Sequence, residues 1–379
     1  MVKYNTMIHL QKSFMKILSH LLILFFYIHH TCFALDQTLC TPQRCKIIVD
    51  AGSSGSRVHV YAQNQSNKAW DELFSNKINP GFANIPNNDV AIDAYLNTLF
   101  AEVALWDGIP TYFYATAGMR LLEPQQQFIY YQKLTDWFNT KSHLILKEAR
   151  TLSGQEEGVF AWLALNNRQA GVMDVGGAST QIVFPIREDA SVAAEDKVQV
   201  VLNHQPLTLF VHSFLNLGLN QVIQRYHSTA SCFPKGYLLS NQSLADGDAL
   251  ACSTELSMSF KDQFHIDTTV QDVLRQHQPQ TWYSLGAINS VIQSPPFTTK
   301  KNAFNGQHFL KQAQVQICQQ SWDALKTKYP NDDYLFNHCI AAAYFKALAI
   351  DGYGISPKQP IHIVPKESNM DWTRGVLVA

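Results

Sequence analysis

Two stretches of this chain, Asp50-Ala-Gly-Ser-Ser-Gly-Ser-Arg57 and Asp174-Val-Gly-Gly-Ala-Ser-Thr-Gln181, are near-copies of each other. Each follows an apolar run that predicts a buried strand and precedes an alternating run that predicts a returning strand. The preceding runs are residues 47–49 and 171–173, and the following runs are residues 58–61 and 182–184. Each copy therefore predicts a β-hairpin with an aspartate at the end of its first strand and small residues at its tip.

The composition of these two tips suits the binding of phosphate. Small residues let backbone N–H groups approach an anion closely, and side-chain hydroxyls add further donors. A carboxylate at the end of a strand suits a hard divalent cation that is held through water. The hydroxyl donors are Ser53, Ser54, Ser179 and Thr180, and the carboxylates are those of Asp50 and Asp174. One such tip would predict only a turn, whereas two copies predict a duplicated domain that closes on one polyphosphate.

The length and composition fit a globular protein of two domains. The chain has 379 residues, of which 46% are hydrophobic and 16% are charged. It carries 29 Lys and Arg against 30 Asp and Glu, and Lys3, Lys12 and Lys16 lie in its first segment. Without that segment the chain is net acidic. A nucleic-acid-binding protein is therefore not expected, because such a protein presents a basic surface.

Residues 1–34 have the pattern of a signal peptide. Lysines precede an apolar run at residues 21–28, and Cys32-Phe33-Ala34 fits a cleavage site before Leu35. An uncleaved anchor is the alternative, although the apolar run is short for a membrane span. We therefore expect an exported protein, secreted or periplasmic, that is monomeric and has no stable membrane insertion after signal removal.

Six cysteines follow the predicted signal peptide, and an even number in an exported chain favours disulfides. Proximity in sequence favours one set of pairs over the others. That set is Cys40–Cys45, Cys232–Cys252 and Cys318–Cys339. A metal site is the alternative, but the sequence has no Cys-x-x-Cys motif and no cluster of cysteine and histidine at the spacing of metal ligands.

The rest of the chain has the alternating pattern of an α/β protein with a mixed sheet. Apolar residues recur at helical spacing in several segments, which are separated by short strand-like runs and by turns. The predicted elements are helices over residues 92–103, 128–138, 211–226, 315–325 and 337–350, a strand over residues 111–115, a surface loop over residues 187–197 and a break at residues 294–296.

The segment Leu152-Ser-Gly-Gln-Glu-Glu-Gly158 predicts the start of a helix with a spare carboxylate. Ser153 and Glu156 have the spacing of a capping box, in which the Glu156 side chain turns back to the N-cap amide. Glu157 lies further round the helix and has no such role. Alone, it would only complement the helix dipole. Beside two phosphate-binding tips, it is the best candidate for a general base that acts on water.

Four segments together resemble a known family. They are Asp-Ala-Gly-Ser-Ser from residue 50, Ala-Thr-Ala-Gly-Met-Arg from residue 115, Ser-Gly-Gln-Glu-Glu-Gly from residue 153 and Asp-Val-Gly-Gly-Ala-Ser-Thr-Gln from residue 174. In order and spacing they are similar to the apyrase conserved regions of the ecto-nucleoside triphosphate diphosphohydrolases. By itself, the segment from residue 115 would predict only a strand-to-helix loop with Thr116 as N-cap. The resemblance spans residues 46–372 and fits a soluble, bacterial-type member of the actin, sugar kinase and heat-shock chaperone superfamily.

The resemblance implies a fold class, a domain division and a reaction. The fold is α/β, with two actin-like (RNase H-like) domains related by duplication, mixed sheets flanked by helices, and the nucleotide in the cleft between the domains. Domain I would comprise residues 35–153 plus 358–379, and domain II residues 154–357. The enzyme would hydrolyse nucleoside tri- and diphosphates stepwise to the monophosphate and phosphate. The reaction would be a metal-assisted in-line attack of water with Mg²⁺, Ca²⁺ or Mn²⁺ as cofactor.

The resemblance also implies roles for individual residues. Glu157 would activate the attacking water, and Ser179 and Gln181 would place it. The metal site would comprise Asp50, Asp174, Thr116 and Trp372, and the phosphate-binding residues would be Ser53, Ser54, Gly55, Ala117, Gly177 and Ala178. We expect the site to be poor in Lys and Arg, so that the metal and the backbone amides carry the phosphate charge.

The match is weaker for the residues that would bind the base. The segment from Cys339 to Tyr344 is similar to the family's base-stacking helix, with Tyr344 as the stacking face, although its helical spacing equally predicts a core position. Animal members carry Phe-Ser-x-Phe-Tyr in a fifth region. The counterpart here, residues 282–290, has no aromatic at the matching position. Asn289 or a neighbour would contact the base instead.

Other functions fit parts of this pattern. Exopolyphosphatases share the actin-like fold and a comparable glutamate base, so inorganic polyphosphate is the alternative substrate. Sugar kinases and chaperone ATPases have similar hairpins, but predicted export and disulfides argue against both. A catalytically inactive binding protein is a further alternative, and the presence of Asp50, Glu157, Asp174 and Ser179 argues against it.

Overall fold

Two mixed β-sheets form the framework of the protein in a computed structural model that describes residues 40–165, 167–295, 297, 302–364 and 371–379. The predicted signal peptide lies outside the described residues. The first sheet, of order β3-β2-β1-β4-β5, contains β1 (Cys45–Ala51), β2 (Ser56–Gln63), β3 (Trp70–Ile78), β4 (Pro110–Ala115) and β5 (Ile145–Thr151). The second, of order β11-β12-β10-β6-β7-β9-β8, contains β6 (Ala170–Val175), β7 (Ser179–Ile186), β8 (Lys197–Leu202), β9 (Gln205–Leu215), β10 (Thr281–Gly286), β11 (Ala303–Phe304) and β12 (Ile361–Ile363).

The two sheets repeat one strand arrangement, as the duplicated sequence predicts. In the first sheet, β1 pairs antiparallel with β2 and parallel with β4, which pairs parallel with β5. In the second, β6 pairs antiparallel with β7 and parallel with β10, which pairs parallel with β12. Both predicted hairpins are confirmed, with Asp50 opposite Arg57 in one and Asp174 opposite Gln181 in the other.

Helices connect and cover the strands. They are α1 (Asp89–Leu99), α2 (Ala117–Arg120), α3 (Pro124–Lys141), α4 (Gly154–Leu165), α5 (Leu219–Arg225), α6 (Ala249–Phe264), α7 (Ile266–Gln276), α8 (Ala287–Gln293), α9 (Gly306–Ala313), α10 (Trp322–Lys328), α11 (His338–Lys346) and α12 (Trp372–Val376). Helix α11 continues as a π-helical turn, Ala347–Gly352. The helices predicted near residues 92–103, 128–138 and 337–350 are confirmed, and α8 ends just before the predicted break.

Two predicted helices are wrong in extent. Residues 211–215 belong to strand β9, and helix α5 begins only at Leu219. Both faces of β9 are buried, with Leu209 and Val211 in the cluster between the sheets and Phe210 and Phe214 in the core of the second half. Its apolar run therefore has no strand alternation that would distinguish it from a helix. Residues 315–325 are divided between a π-helical turn and α10. Ser321 is the N-cap of α10, and its hydroxyl accepts a hydrogen bond from the Ala324 amide.

Helix α4 lies between the two sheets. One buried apolar cluster joins Ile48 and Tyr114 of the first sheet, Val172 and Val183 of the second, and Trp162 of α4. Each sheet also packs on a separate core of its own helices. This arrangement places the first turn of α4, which carries Glu157, at the junction of the two halves.

The C-terminal segment contacts both halves of the molecule. Helix α12 packs tightly on α4. Gly375 lies so close to α4 that a Cβ atom added there would collide with the Phe160 carbonyl. Strand β12 pairs with β10 of the second sheet. The predicted assignment of residues 361–363 to domain I is therefore wrong, because these residues belong to the second sheet. The other domain boundaries stay a prediction.

All three predicted disulfides are present in the structure. They are Cys40–Cys45, Cys232–Cys252 and Cys318–Cys339. Their sequence separations are 5, 20 and 21 residues, and the cysteines are buried. Within the described part of the chain, every helix is too short or too polar to cross a membrane.

Candidate active site

The two hairpin tips face each other across a cleft of about 470 Å³. They approach so closely that a Cβ atom added to Gly177 would lie 2.7 Å from Ser53 Oγ. The first tip rests on the start of α2, where a Cβ atom at Gly118 would lie 2.9 Å from Ser53 Cα. Small residues at these positions therefore permit the close approach of the two tips.

Most of the predicted site residues line this cleft. They are Asp50, Ser53, Ser54, Gly55, Thr116, Ala117, Glu157, Asp174, Gly177, Ala178, Ser179, Asn289 and Trp372. Gln181 donates hydrogen bonds to two of them, Glu157 and Ser179. The structure thus brings these side chains together, and their chemical roles stay predictions.

Glu157 is buried and belongs to a compact hydrogen-bond network. Its Oε2 accepts bonds from Arg120 Nη2 at 2.9 Å and from Gln181 Nε2 at 3.3 Å. The same two donors also reach Ser179 Oγ, each at 2.9 Å. Sequence reasoning gave Arg120 no role, although it lies within the third motif. In the structure its guanidinium orients both Glu157 and Ser179.

The neighbouring Glu156 has the capping role that the sequence predicted. Its Oε2 accepts a hydrogen bond from the Ser153 amide at 2.9 Å, and its own amide donates to Ser153 Oγ at 3.1 Å. Its other carboxylate oxygen pairs with Arg150 Nη1 at 2.8 Å. Glu156 is therefore engaged away from the cleft, and Glu157 is the glutamate that faces it.

Four carboxylates from different parts of the chain meet at the cleft: Asp50, Glu157, Asp174 and Asp371. Burial and the repulsion of Asp371 and Glu157 raise the pKa of Asp50 to about 7. Burial, Glu157 and Asp50 raise the pKa of Asp174 well above its usual value. Burial also raises the pKa of Glu157, against the opposing effect of Arg120. This concentration of negative charge favours the binding of a cation.

The chemistry of these residues fits a divalent cation that is held largely through water. Across the described ranges, no three or more His, Cys, Asp or Glu side chains are close enough together to coordinate a metal directly. Asp50 Oδ1 is buried without a hydrogen-bond partner, so it has a free acceptor for a water ligand. The metal site predicted at Asp50, Asp174, Thr116 and Trp372 is compatible with this geometry.

The cleft contains more positively charged side chains than the sequence predicted, so the expectation of a site poor in Lys and Arg is wrong. Arg57 and Lys77 both line it, and Lys77 Nζ lies 3.5 Å from Ser54 Oγ. Burial and the neighbouring Arg57 lower the pKa of Lys77. The two residues are cross-strand partners on β2 and β3. The sequence alone does not show this pairing, because β3 was not predicted.

The predicted base-stacking role of Tyr344 is wrong in this structure. Tyr344 is fully buried in the core of the second half, where it packs on Phe260 and donates a hydrogen bond to the Leu217 carbonyl at 2.9 Å. Its helical spacing therefore reflects a core position. Asn289 does line the cleft, and its Oδ1 is buried without a partner while its Nδ2 donates to the Ser284 carbonyl.

The cleft combines two hairpin tips of small residues, clustered carboxylates and a glutamate without a capping role, an arrangement that suits a hydrolase of phosphate anhydrides. The chain belongs to the GDA1/CD39 (nucleoside phosphatase) family, whose model matches residues 37–269. Mouse ectonucleoside triphosphate diphosphohydrolase 1 is 27% identical over 91% of this chain and 82% of that protein. Probable apyrase 4 of Arabidopsis thaliana is 25% identical over 88% of this chain and 78% of that protein.

Solved structures show the same fold at low identity. A nucleoside triphosphate hydrolase from Neospora caninum has a TM-score of 0.57 and 14% identity, and it covers 88% of this chain and 92% of that one. An exopolyphosphatase from Cytophaga hutchinsonii has a TM-score of 0.53 and 12% identity, and the match covers 88% of this chain and 96% of that one. The predicted actin-like α/β fold is confirmed. With the family, these findings make the protein a nucleotide-phosphate hydrolase of the nucleoside triphosphate diphosphohydrolase (apyrase) class.

Proposed function

We propose that the protein is an exported apyrase that hydrolyses nucleoside tri- and diphosphates to the monophosphate and phosphate. The observation that carries this proposal is the juxtaposition of the two tips with Glu157. Ser53 of one tip nearly touches Gly177 of the other, and Glu157 opens onto the same cleft. A phosphate chain held between the tips would have its terminal phosphorus beside this carboxylate.

Two groups of donors are available to bind the phosphate chain. The tips supply backbone amides together with the hydroxyls of Ser53 and Ser54. Arg57 and Lys77 add positive charge at the first tip. A divalent cation, when bound beside Asp50 and Asp174, would neutralise phosphate charge and assist departure of the leaving group. Mg²⁺, Ca²⁺ and Mn²⁺ all suit such oxygen ligands.

The residues around Glu157 suit the activation of water. A water beside Glu157 would donate one hydrogen to that carboxylate, which takes the proton as the oxygen attacks phosphorus. Gln181 Oε1 is buried without a partner, so it can accept the second hydrogen. Ser179 lies between the two and is fixed by Arg120. Burial raises the pKa of Glu157 and makes it a stronger base than an exposed glutamate.

Inorganic polyphosphate is the second candidate substrate, and one observation favours it. Tyr344 does not reach the cleft, and Trp372 is the one aromatic side chain among the described residues that line it. A nucleoside base would therefore lack the pair of stacking faces. Exopolyphosphatase structures also share the fold.

Export is supported by the signal-like pattern of residues 1–34, the three disulfides and the name of the mouse relative as an ectoenzyme. Disulfides persist in oxidising compartments, so secretion or a periplasmic location fits. We propose that the mature protein acts there as a monomer.

Phosphate release from ATP, ADP, GTP, GDP, AMP and polyphosphate, each with Mg²⁺ or with EDTA, tests the proposal. We expect release from the tri- and diphosphates only, and none in EDTA. Glu157→Gln is the inactive control for contaminating phosphatases. Release from polyphosphate with none from ATP or ADP would establish the second candidate instead, and release from AMP would contradict both.

A further inference from the structure

A buried histidine links the first sheet to the C-terminal segment behind the cleft. His59 lies on β2 with 1% of its side chain exposed. Its Nδ1 is 2.6 Å from Glu72 Oε1 on β3, and its Nε2 is 3.1 Å from Asp371 Oδ2. The first contact is a hydrogen bond, whereas the second has the distance of an ion pair without hydrogen-bond alignment. Sequence reasoning assigned no function to any of these three residues.

The two carboxylates indicate that His59 is an imidazolium. A neutral imidazole has one N–H, and its other nitrogen would direct a lone pair at a carboxylate oxygen. Both contacts are favourable only when both nitrogens carry hydrogen. Glu72 is nearly as buried as His59, so one negative charge neutralises the imidazolium locally. The second carboxylate, Asp371, is then free for another role at the cleft.

Asp371 is held at the cleft on both of its oxygens. Oδ1 accepts hydrogen bonds from the amide and hydroxyl of Thr373 at the start of α12. Oδ2 faces His59, yet 32% of the Asp371 side chain is exposed and lines the cleft. Asp50 lines the same cleft. Two carboxylates held in one cleft repel each other, and a cation with its water shell would relieve this repulsion.

We propose that His59 is a positioning residue that holds Asp371 beside Asp50, and that the Asp371 carboxylate helps to order the water shell of the divalent cation. This inference rests on the proposed function, in which that cation binds at Asp50 and Asp174. Side chains behind a metal site commonly fix the orientation of the groups that face the metal. Here His59, held by Glu72, would fix the orientation of Asp371 in this way. The Glu72–His59–Asp371 chain would thus extend the site beyond the four sequence motifs.

Direct Mn²⁺ binding tests this role without reference to turnover. The mature protein is titrated with Mn²⁺ in the presence of a non-hydrolysable ATP analogue, and free Mn²⁺ is measured by electron paramagnetic resonance. We expect His59→Gln and Asp371→Asn each to weaken binding about tenfold, which is typical of groups that support metal ligands. The double variant should bind Mn²⁺ like Asp371→Asn alone, because His59 acts through Asp371.

Tyr61→Phe is the matched control for simple destabilisation. Tyr61 Oη lies 2.7 Å from Thr373 Oγ1 in a buried hydrogen bond that anchors the same segment. Phenylalanine would remove this bond and leave the Thr373 hydroxyl able to donate to Asp371 Oδ1. We expect this variant to lower Tm and to leave Mn²⁺ affinity unchanged. Asp371 is partly exposed, so Asp371→Asn should fold even if His59→Gln does not.

Several results would overturn the inference. They are unchanged Mn²⁺ affinity in Asp371→Asn, additive effects of the two substitutions, an equal effect of Tyr61→Phe, and no Mn²⁺ binding by the wild-type protein. Phosphate release by the wild type is measured in parallel. Cation-dependent release together with an unaffected Asp371→Asn variant would reject the role of His59 and leave the proposed function intact. Absence of nucleotide hydrolysis would reject the proposed function, and the Mn²⁺ titration would still decide the role of His59.

Discussion

Two adjacent glutamates at the start of α4 illustrate how the backbone assigns roles to side chains. Glu156 and Glu157 are identical in chemistry and differ by one step around the helix. That step directs Glu156 to the Ser153 amide and Glu157 to the cleft beside Arg120. The structural and the proposed chemical functions are therefore separable by substitution.

We expect Glu157→Gln to lower kcat at least about 100-fold with an unchanged fold, because the amide cannot take a proton from water. Glu156→Gln should retain activity and the capping bond, which glutamine also makes, and should lose about 0.3–1 kcal/mol of stability with the negative charge at the helix N-terminus and the Arg150 ion pair. Steady-state phosphate release and urea unfolding of both variants measure these effects. Similar kinetics for the two variants would refute the assignment of the base.

Lys77 allows a test of the cationic side of the cleft. Replacing Lys77 with methionine removes a charge next to Ser54 while keeping most of the aliphatic chain. We expect KM for ATP to rise about tenfold, equivalent to about 1.4 kcal/mol, with a smaller change in kcat. Lys68→Met is the matched control, because Lys68 is exposed in the loop before β3. Equal KM values for the two variants would exclude Lys77 from phosphate binding.

At the scale of elements, the closeness of the hairpin tips is the feature on which the site depends. A Cβ atom at Gly177 would lie 2.7 Å from Ser53 Oγ and 2.9 Å from Asn220 Nδ2. Gly177→Ala should therefore displace the Ser53 hydroxyl from the gap between the tips and lower kcat/KM about 10- to 100-fold, since small displacements of groups at a reaction site are costly.

Gly236→Ala is the control for the loss of a glycine. Gly236 has φ +82° and a Cβ there would meet no atom within 4 Å. Backbone strain should make this variant less stable by about 1 kcal/mol without an effect on kinetics. Thermal unfolding and steady-state rates distinguish the two outcomes. Full activity in Gly177→Ala would show that the tips do not need their close approach.

Local elements were predictable from the sequence, and features set by distant contacts were not. The hairpins and the Ser153–Glu156 capping box depend on residues a few positions apart, so their patterns are readable. Strand β9 resembled a helix because both of its faces are buried. Tyr344 occupies a helical face that the fold turns into the core. Arg57 and Lys77 meet only through the pairing of β2 with β3.

At the scale of the whole molecule, the cleft collects charge from every part of the chain. Asp50 comes from the first sheet, Asp174 from the second, Glu157 from the helix between them and Asp371 from the C-terminal segment. Folding therefore brings together carboxylates that are far apart in the unfolded chain. Their repulsion opposes folding unless protons or a cation neutralise it.

This repulsion predicts a pH dependence of stability in the absence of cations. The pKa of Asp50 is about 7 in the folded protein, against 3.8 for an unperturbed aspartate. The folded state thus binds this proton more tightly, so the contribution of Asp50 to stability is fully present below about pH 4 and is lost as pH rises to about 7. Asp50→Asn mimics the protonated form. In EDTA, its free energy of unfolding should exceed that of the wild type increasingly from pH 4 to pH 7, by at most about 1.4 kcal/mol per pH unit.

Urea unfolding at pH 5, 6, 7 and 8, with EDTA or with Mg²⁺, measures this difference. Mg²⁺ should stabilise the wild type most at pH 7 and above, where the carboxylates are ionised, and should have little effect on Asp50→Asn. Glu102→Gln, which removes an exposed carboxylate away from the cleft, should follow the wild type throughout. Parallel curves for the wild type and Asp50→Asn would mean that the clustered carboxylates do not limit stability. The predicted link between cation binding and stability would then fail, because the cation would have no repulsion to relieve.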